Sequence, residues 1–166
     1  MSQVKIQLRI NAAKEKVWET LNDLQGVQGW NPNVDAAHYT SEIREGVGAS
    51  RHCDLAGGTL AGGGTVEESV IEVRPQEVLT ISLDEGAPFK KAHGRWTIQG
   101  DDGATDVTVT LEYEMKFGPI GWLMDRLLVN SQLRKALRHG VAGLKYHLET
   151  GQVVGTELPE HALAAM

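Results

Sequence analysis

Apolar and polar residues alternate along much of the chain up to Met115. The apolar members of the first such run are Val4, Ile6, Leu8 and Ile10. Successive side chains of a strand point to opposite faces, so this run predicts a strand with one face in the core and the other in water. The same pattern predicts six further strands, at about residues 36–44, 47–55, 65–73, 78–83, 92–98 and 107–115. Short turns between consecutive strands favour antiparallel pairing.

Helical spacing replaces the alternation in two regions. The first region predicts a helix over residues 12–24, with Asn11 as its N-cap, followed by a short helix within 26–33 that Pro32 prevents from extending. The second region, residues 118–149, begins with Gly-Pro and has no proline after it. Its recurring apolar residues are Leu123, Leu127, Leu133, Leu137, Val141, Leu144 and Leu148. This spacing predicts one long amphipathic helix.

The order of elements indicates an α+β domain over residues 1–150. The long helix must place its apolar face on another element, and the sheet is the one large enough to receive it. A sheet that curves around one long helix leaves space between them, so the order of elements also predicts a pocket. Residues 151–166 have no periodic pattern, and we expect this tail to fray.

Composition and charge narrow the classes of partner. The net charge is −6 and the 16 basic residues form no runs, which argues against a nucleic-acid partner. The longest apolar runs are too short for stable insertion across a membrane. The first ten residues have a strand pattern rather than that of a signal peptide. The single cysteine, Cys53, excludes an intrachain disulfide and suits a reducing compartment, so we expect a cytoplasmic protein.

The element order and four segments together resemble the START-like, helix-grip superfamily (SRPBCC), which includes the polyketide cyclase/dehydrase-like family. The segments are residues 10–23, 30–34, 116–128 and 143–149. The resemblance covers nearly the whole chain. It implies a seven-stranded antiparallel sheet wrapped around the long C-terminal helix, with a cavity between them. Members include lipid and quinone carriers, cyclases, hormone receptors and chaperone activators, so the resemblance selects a fold rather than one activity.

Two charged residues fall on the inward side of the predicted third and fourth strands. If the hairpin is centred on the glycine-rich loop 56–64, Cys53 lies opposite Val66 and Arg51 opposite Glu68. Opposite charges directly across two strands attract each other, and on the concave face they would form a polar island in an apolar pocket. The alternative is a bulge that turns Glu68 outward. The inward set would then be Thr65, Glu67, Ser69, Ile71 and Val73.

The other candidates for ligand contact are Trp30, Trp96, Tyr113, Trp122 and Met124, since aromatic rings and methionine provide a large, adaptable apolar lining. Plain core packing is the alternative for each of them. His93 and Arg95 fall on the outward side of their strand. The six histidines lack zinc-ligand spacing with cysteine, so the sequence predicts neither a metal site nor a cofactor.

Three functions fit these patterns. The first is non-catalytic binding of an apolar or amphipathic small molecule such as a lipid, isoprenoid, quinone or polyketide. The second is a cofactor-independent cyclase or dehydratase, with Glu68 as the candidate general acid or base, Arg51 as oxyanion partner and Tyr113 as proton donor. The third is a protein-interaction module, which needs an exposed apolar patch. An ionisable group facing the cavity distinguishes the second from the first.

Overall fold

The computed structural model describes residues 1–57, 64–85 and 89–166. Seven strands form one antiparallel sheet in the spatial order β1-β7-β6-β5-β4-β3-β2. The strands are β1 Ser2–Ile10, β2 Val34–Tyr39, β3 Ser50–Leu55, β4 Gly64–Arg74, β5 Val78–Glu85, β6 Phe89–Gly100 and β7 Thr105–Met115. Consecutive strands from β2 to β7 are neighbours in the sheet, and β1 closes the order by pairing with β7.

The helices are α1 Lys14–Asn22, a 3-10 turn Gln25–Gly29, α2 Gly118–Met124, a π turn Asp125–Val129, α3 Asn130–Thr150 and α4 Glu160–Ala164. Together, α2, the π turn and α3 form the long helix that the sequence predicts. The predicted helix-grip architecture is therefore confirmed: two short helical elements follow β1, and the long helix packs against the sheet.

The π turn has a visible cause in the burial pattern. Gly121, Asp125, Val129 and Leu133 are all buried and follow one another at intervals of four residues. An ordinary α-helix has 3.6 residues per turn, so such positions drift around its axis. A wider turn keeps all four on the side that faces the sheet.

The third strand begins later than predicted. Gly46 and Gly48 have φ angles of +83° and +92°, a region that glycine occupies without a steric penalty. The turn between β2 and β3 therefore continues to Gly48, and β3 starts at Ser50. Val47, which the alternation places inward, lies in this turn and is 62% exposed.

The long helix approaches the segment before β2 very closely. A Cβ atom placed on Gly143 would lie 2.1 Å from the backbone oxygen of Trp30 and 2.8 Å from Pro32 Cδ. These distances are far below van der Waals contact, so only glycine fits at this position. The contact holds Trp30 and the residues after it against α3.

Residues 151–166, where we expected a frayed tail, contain α4. Val154 donates its backbone N–H to the Gly29 oxygen at 2.8 Å, and the side chains of Val154 and Ala162 are buried. Gly151 ends α3 with a φ of +72°, which turns the chain back toward the body of the molecule. The tail carries no periodic pattern because Val154 and Ala162 are its only buried residues.

The predicted glycine-rich loop 56–64 falls partly outside the described residues, since 58–63 are not described. Residues 86–88, between β5 and β6, are not described either. Among the helices of the described residues, none combines the length and the apolar character that crossing a membrane requires.

Candidate ligand cavity

A cavity of about 180 Å³ lies between the sheet and α3. Most of its wall is apolar, and four polar side chains interrupt it. The apolar members are Leu21, Trp30, Leu55, Ile81, Leu83, Trp96, Val109, Leu111, Leu133, Ala136, Leu137 and Val141, and the polar ones are Asn31, Asn33, Arg51 and Glu68. The wall also includes Gly94 and Gly140.

Gly94 leaves space at the floor of the cavity. It lies opposite Ile81 on one neighbouring strand and Leu111 on the other, and all three residues belong to the cavity wall. A Cβ atom added at Gly94 would meet nothing within 4 Å. Gly94 was not among the residues selected from the sequence. The sequence does contain an indication of its role: Gly94 lies on the inward side of β6, two residues before Trp96. Glycine inside a strand often marks a place where a ligand or another backbone approaches closely.

The polar island predicted on the concave face is present. Arg51 lies directly opposite Glu68, and Cys53 opposite Val66, as the hairpin register predicted. Arg51 Nε donates to Glu68 Oε2 at 2.5 Å, and Arg51 Nη1 donates to the Leu24 backbone oxygen at 2.8 Å. The two side chains are 9% and 15% exposed, and both line the cavity. The guanidinium is thus fixed on two sides and presents the pair to the interior.

The alternative inward set of β4 is wrong for its first part. Val66 and Val70 are buried, whereas Thr65 and Ile71 are exposed. The pairing of β4 with β5 has two register shifts. At Glu67/Glu68 the extra residue, Asp84, belongs to β5, and between Val70 and Glu72 the extra residue, Ile71, belongs to β4 and follows the ion pair. It shifts the alternation by one residue, which is why Val73 then packs against the core.

Electrostatics reinforce the pairing. Burial lowers the pKa of the Arg51 guanidinium, but the Glu68 carboxylate more than compensates, and the net effect is a raised pKa. Burial raises the pKa of the Cys53 thiol to about 12, and Glu68 adds to the rise. Cys53 is therefore protonated at neutral pH and packs as an inert, small apolar residue.

We expect Cys53 in the folded protein to resist alkylation by iodoacetamide at pH 8, because the thiolate is the reactive form and is nearly absent. The same thiol in denaturant should react fully. Since the unfolded thiol titrates near 9.0 and the folded one near 12, this group lowers the stability of the folded state as the pH rises through that window. Rapid native-state alkylation, measured by mass spectrometry, would contradict the assignment.

Trp30 and Trp96 both line the cavity and contact each other. Their ring centroids are 6.0 Å apart with an interplanar angle of 88°, an edge-to-face contact. The Trp30 Nε1 atom is buried and has no hydrogen-bond partner among the described residues. The structure thus places two of the predicted aromatic candidates together in the wall, and one of them has an unused donor.

Asn31 and Asn33 line the cavity but were not among the candidates selected from the sequence. Asn31 Oδ1 accepts hydrogen bonds from the backbone N–H and the Nδ2 of Asn33, at 3.0 and 2.9 Å. Asn33 Nδ2 also donates to the Ala136 backbone oxygen of α3 at 2.8 Å. The Asn-Pro-Asn sequence at residues 31–33 was the only sequence feature that could have pointed to them. Their position against α3 depends on the close approach of Gly143, more than a hundred residues away.

Tyr113 is inward-facing but lies outside the cavity wall, contrary to its selection as a ligand contact. Its hydroxyl donates to Asp125 Oδ1 at 2.5 Å and accepts from Asn130 Nδ2 at 3.2 Å. Burial, followed by the hydrogen bond to Asp125, raises its pKa to about 12. Tyr113 packs with Phe89 in a second apolar cluster, toward the beginning of the long helix. It therefore anchors that helix to β7.

Trp122 and Met124 also lie outside the wall. Their residues are 60% and 49% exposed, because the buried side of this part of the helix consists of Gly121, Asp125 and Val129. His93 and Arg95 point outward as predicted, and they pair with Glu112 and Glu72 respectively. Over residues 1–57, 64–85 and 89–166, no group of three or more His, Cys, Asp or Glu side chains is arranged to hold a metal ion.

Comparisons with known proteins agree with this architecture. The chain is similar to a START superfamily protein from Mycobacterium smegmatis (19% identity, covering 90% of this chain and 99% of that chain, TM-score 0.73). It is also similar to a protein from Thermus thermophilus (20% identity, 90% and 99% covered, TM-score 0.74). A third similar structure is the Zhui aromatase/cyclase from Streptomyces sp. R1128 (14% identity, 89% and 93% covered, TM-score 0.76).

A search of curated proteins found no match. The family model described as polyketide cyclase/dehydrase and lipid transport matches residues 1–149, nearly the whole folded body. The helix-grip sheet, the long helix and this match together place the chain in the polyketide cyclase/dehydrase and lipid transport family of START-like proteins.

Proposed function

We propose that this protein binds an apolar or amphipathic small molecule in the cavity between the sheet and α3. The observation that carries the proposal is the cavity wall, which is aliphatic and aromatic except at a few fixed polar groups. Ligand sites commonly have this composition, since the apolar wall supplies affinity and the polar groups set orientation. Lipids, isoprenoids, quinones and polyketide-like chains all meet this description.

The polar groups define where the head of such a ligand would lie. Arg51 has five N–H donors, and its Nε and Nη1 atoms engage Glu68 and Leu24. The remaining guanidinium hydrogens are suited to a ligand carbonyl, carboxylate or hydroxyl oxygen. Trp30 Nε1, whose N–H has no partner in the described part of the chain, is a second donor on the same wall. A molecule with one oxygenated end and an apolar body matches this arrangement.

Gly94→Leu is expected to displace the ligand without unfolding the protein. The new side chain would extend from the cavity floor into space that is open to at least 4 Å around its Cβ atom. We expect native mass spectrometry of the protein purified from its own host to show a retained small molecule in the wild type. Retention by Gly94→Leu should fall about tenfold or more, since about 1.4 kcal/mol of lost binding suffices for that change.

Gly155→Leu is the matched control, because Gly155 is exposed and its Cβ would also meet nothing within 4 Å. This variant should retain the ligand like the wild type. If Gly94→Leu proves unstable, Gly94→Ala makes the same test with a smaller group. Equal ligand retention in wild type and folded Gly94→Leu would refute the proposal, as would the absence of any bound molecule in the wild type.

A second candidate function is a cofactor-independent cyclase or dehydratase, favoured by the Glu68 carboxylate on the cavity wall. A carboxylate in a largely apolar site can remove a proton from a carbon between two carbonyl groups, and a nearby guanidinium can stabilise the enolate oxygen. Incubation with a synthetic poly-β-ketone, followed by mass spectrometry, tests this activity. Turnover that disappears in Glu68→Gln while the ligand still binds would support catalysis. Binding without turnover would favour the binder.

A further inference from the structure

The beginning of the long helix exposes an unusual number of large apolar side chains. We call residues 117–128 the apolar segment. Its exposed members are Phe117, Ile120, Trp122, Leu123, Met124, Leu127 and Leu128, with exposures between 49% and 76%. Such contiguous exposure is uncommon in soluble monomers and marks a surface that contacts something apolar. None of these residues belongs to the cavity wall, whose residues from the long helix begin at Leu133.

The charge distribution along the chain is uneven. The long helix, residues 118–150, contains five of the 16 Lys and Arg residues and two of the 22 Asp and Glu residues, in a protein of net charge −6. Of the two acids, Asp125 is buried and bonded to Tyr113 and Ser2, and Glu149 is paired with Lys145. The surface of the long helix is therefore cationic on a protein that is otherwise strongly acidic.

Four of the basic side chains gather in a cleft of about 610 Å³ formed by β1, α3 and the C-terminal residues. We call it the cationic cleft, and its charged members are Lys5, Arg134, Lys135 and Arg138. Its wall also includes His139, Leu163 and Met166, and no acidic residue is present among its described lining.

None of the four cations pairs with a carboxylate of the described residues. By contrast, ion pairs elsewhere engage Arg9, Arg51, Arg74, Lys90, Arg95 and Lys145. His139 is partly buried beside these cations. Burial lowers its pKa most, and the positive charges of Lys135 and Arg138 lower it further. The cleft is thus a site of uncompensated positive charge that an anion would neutralise.

The apolar segment and the cationic cleft lie on one continuous exposed side of the long helix. Leu127 and Leu128 end the apolar segment, Ser131 follows one turn later, and Arg134, Lys135 and Arg138 follow in the next two turns, all of them exposed. Within the apolar segment, Arg126 Cζ lies over the Trp122 ring, 5.7 Å from the ring centroid. Tryptophan and arginine together suit the boundary between lipid headgroups and acyl chains.

A second copy of this chain fits the surface less well than a lipid does. A symmetric dimer through this side would set against it the same surface of a second copy, whose cleft has the same Lys and Arg residues and no Asp or Glu in its described lining. A bilayer that contains anionic lipids offers both apolar acyl chains and negative phosphates, in adjacent layers. We propose that the apolar segment and the cationic cleft dock this protein peripherally on an anionic lipid bilayer, with the apolar side chains at the acyl boundary and the cleft on the phosphate groups.

Vesicle co-sedimentation tests this docking with the full chain. We expect the wild type to bind vesicles of phosphatidylcholine mixed with phosphatidylserine at low salt, and to bind vesicles of phosphatidylcholine alone weakly. The charge reversal R134E/K135E should reduce binding to the anionic vesicles about tenfold or more. L127S/L128S should also reduce it, because apolar contact contributes independently of charge.

Two matched controls keep the test specific. K14E/K16E reverses two lysines near the start of α1, away from the cleft, and V47S/V153S removes two exposed valines elsewhere; both should bind like the wild type. Equal binding to neutral and anionic vesicles would overturn the proposal. The proposal would also be overturned if the protein bound inorganic phosphate through Arg134 and Lys135 but did not bind vesicles. That result would indicate a site for soluble phosphate. Loss of a dimer in L127S/L128S without vesicle binding would instead assign the surface to a second copy.

Discussion

Gly143→Ala is expected to destabilise the protein by about 3 kcal/mol or more, or to prevent folding. The added methyl group would lie 2.1 Å from the Trp30 backbone oxygen and 2.8 Å from Pro32 Cδ. A backbone oxygen cannot move aside as a flexible side chain does, so α3 would have to shift away from the segment before β2. That shift would also disturb the cavity wall at Trp30 and Asn31. Chemical denaturation monitored by tryptophan fluorescence measures the effect.

Gly140→Ala provides the control for this prediction. Its Cβ atom would meet the side chain of Asn31, with Oδ1 at 3.2 Å, and that side chain can adjust. Alanine also favours the helix over glycine by about 1 kcal/mol. We therefore expect Gly140→Ala to change the free energy of unfolding by less than about 1 kcal/mol. If the two variants were equally stable, the close approach at Gly143 would not be what positions α3.

Arg51→Ala is expected to lower the free energy of unfolding by about 3 kcal/mol, since it leaves the Glu68 carboxylate, whose side chain is 15% exposed, without its partner. Arg51 also donates to the Leu24 backbone oxygen, so the variant removes a link between the end of α1 and β3. The double variant R51M/E68L should recover most of the loss, because a well-packed apolar pair replaces a buried ion pair at little or no net cost. Urea denaturation of all three proteins measures the difference.

This double-variant comparison separates pairing from packing. If R51M/E68L is as unstable as Arg51→Ala, the loss comes from the shape of the site rather than from an unpaired charge. Ligand retention gives a second, independent measurement on the same proteins. We expect the stable double variant to retain less of an oxygenated ligand than the wild type, because the donors of Arg51 are gone.

The inward position of Arg51 and Glu68 was predictable because it depends on local rules. Alternation along a strand has a period of two, and a hairpin with a known centre relates each residue to its opposite by simple counting. Both rules act over the distance of one hairpin. The bulge in β4 follows Val70 and therefore leaves Glu68 facing inward, and no pattern in residues 64–74 marks its place.

The selected residues that lie outside the cavity wall are found where two distant parts of the chain meet. Tyr113 is on the inward side of β7, but its hydroxyl is hydrogen-bonded to Asp125 and Asn130 of the long helix. These bonds hold the side chain outside the cavity wall. Trp122 and Met124 occupy an apolar part of the helix that has no unique buried side in the sequence. The π turn, which brings Gly121, Asp125 and Val129 into line, decides that both are exposed.

Periodicity alone was sufficient for the class of fold, the order of its elements and the partner of Arg51, because each reflects a repeat within a single segment or hairpin. The extent of the cavity, by contrast, follows from contacts across more than a hundred positions: Gly143 against Trp30, and Asn33 on Ala136. The gathering of Lys5 with Arg134 and Arg138 is of the same kind. Such pairings depend on how the long helix crosses the sheet, and that geometry is set by the packing of all the elements together.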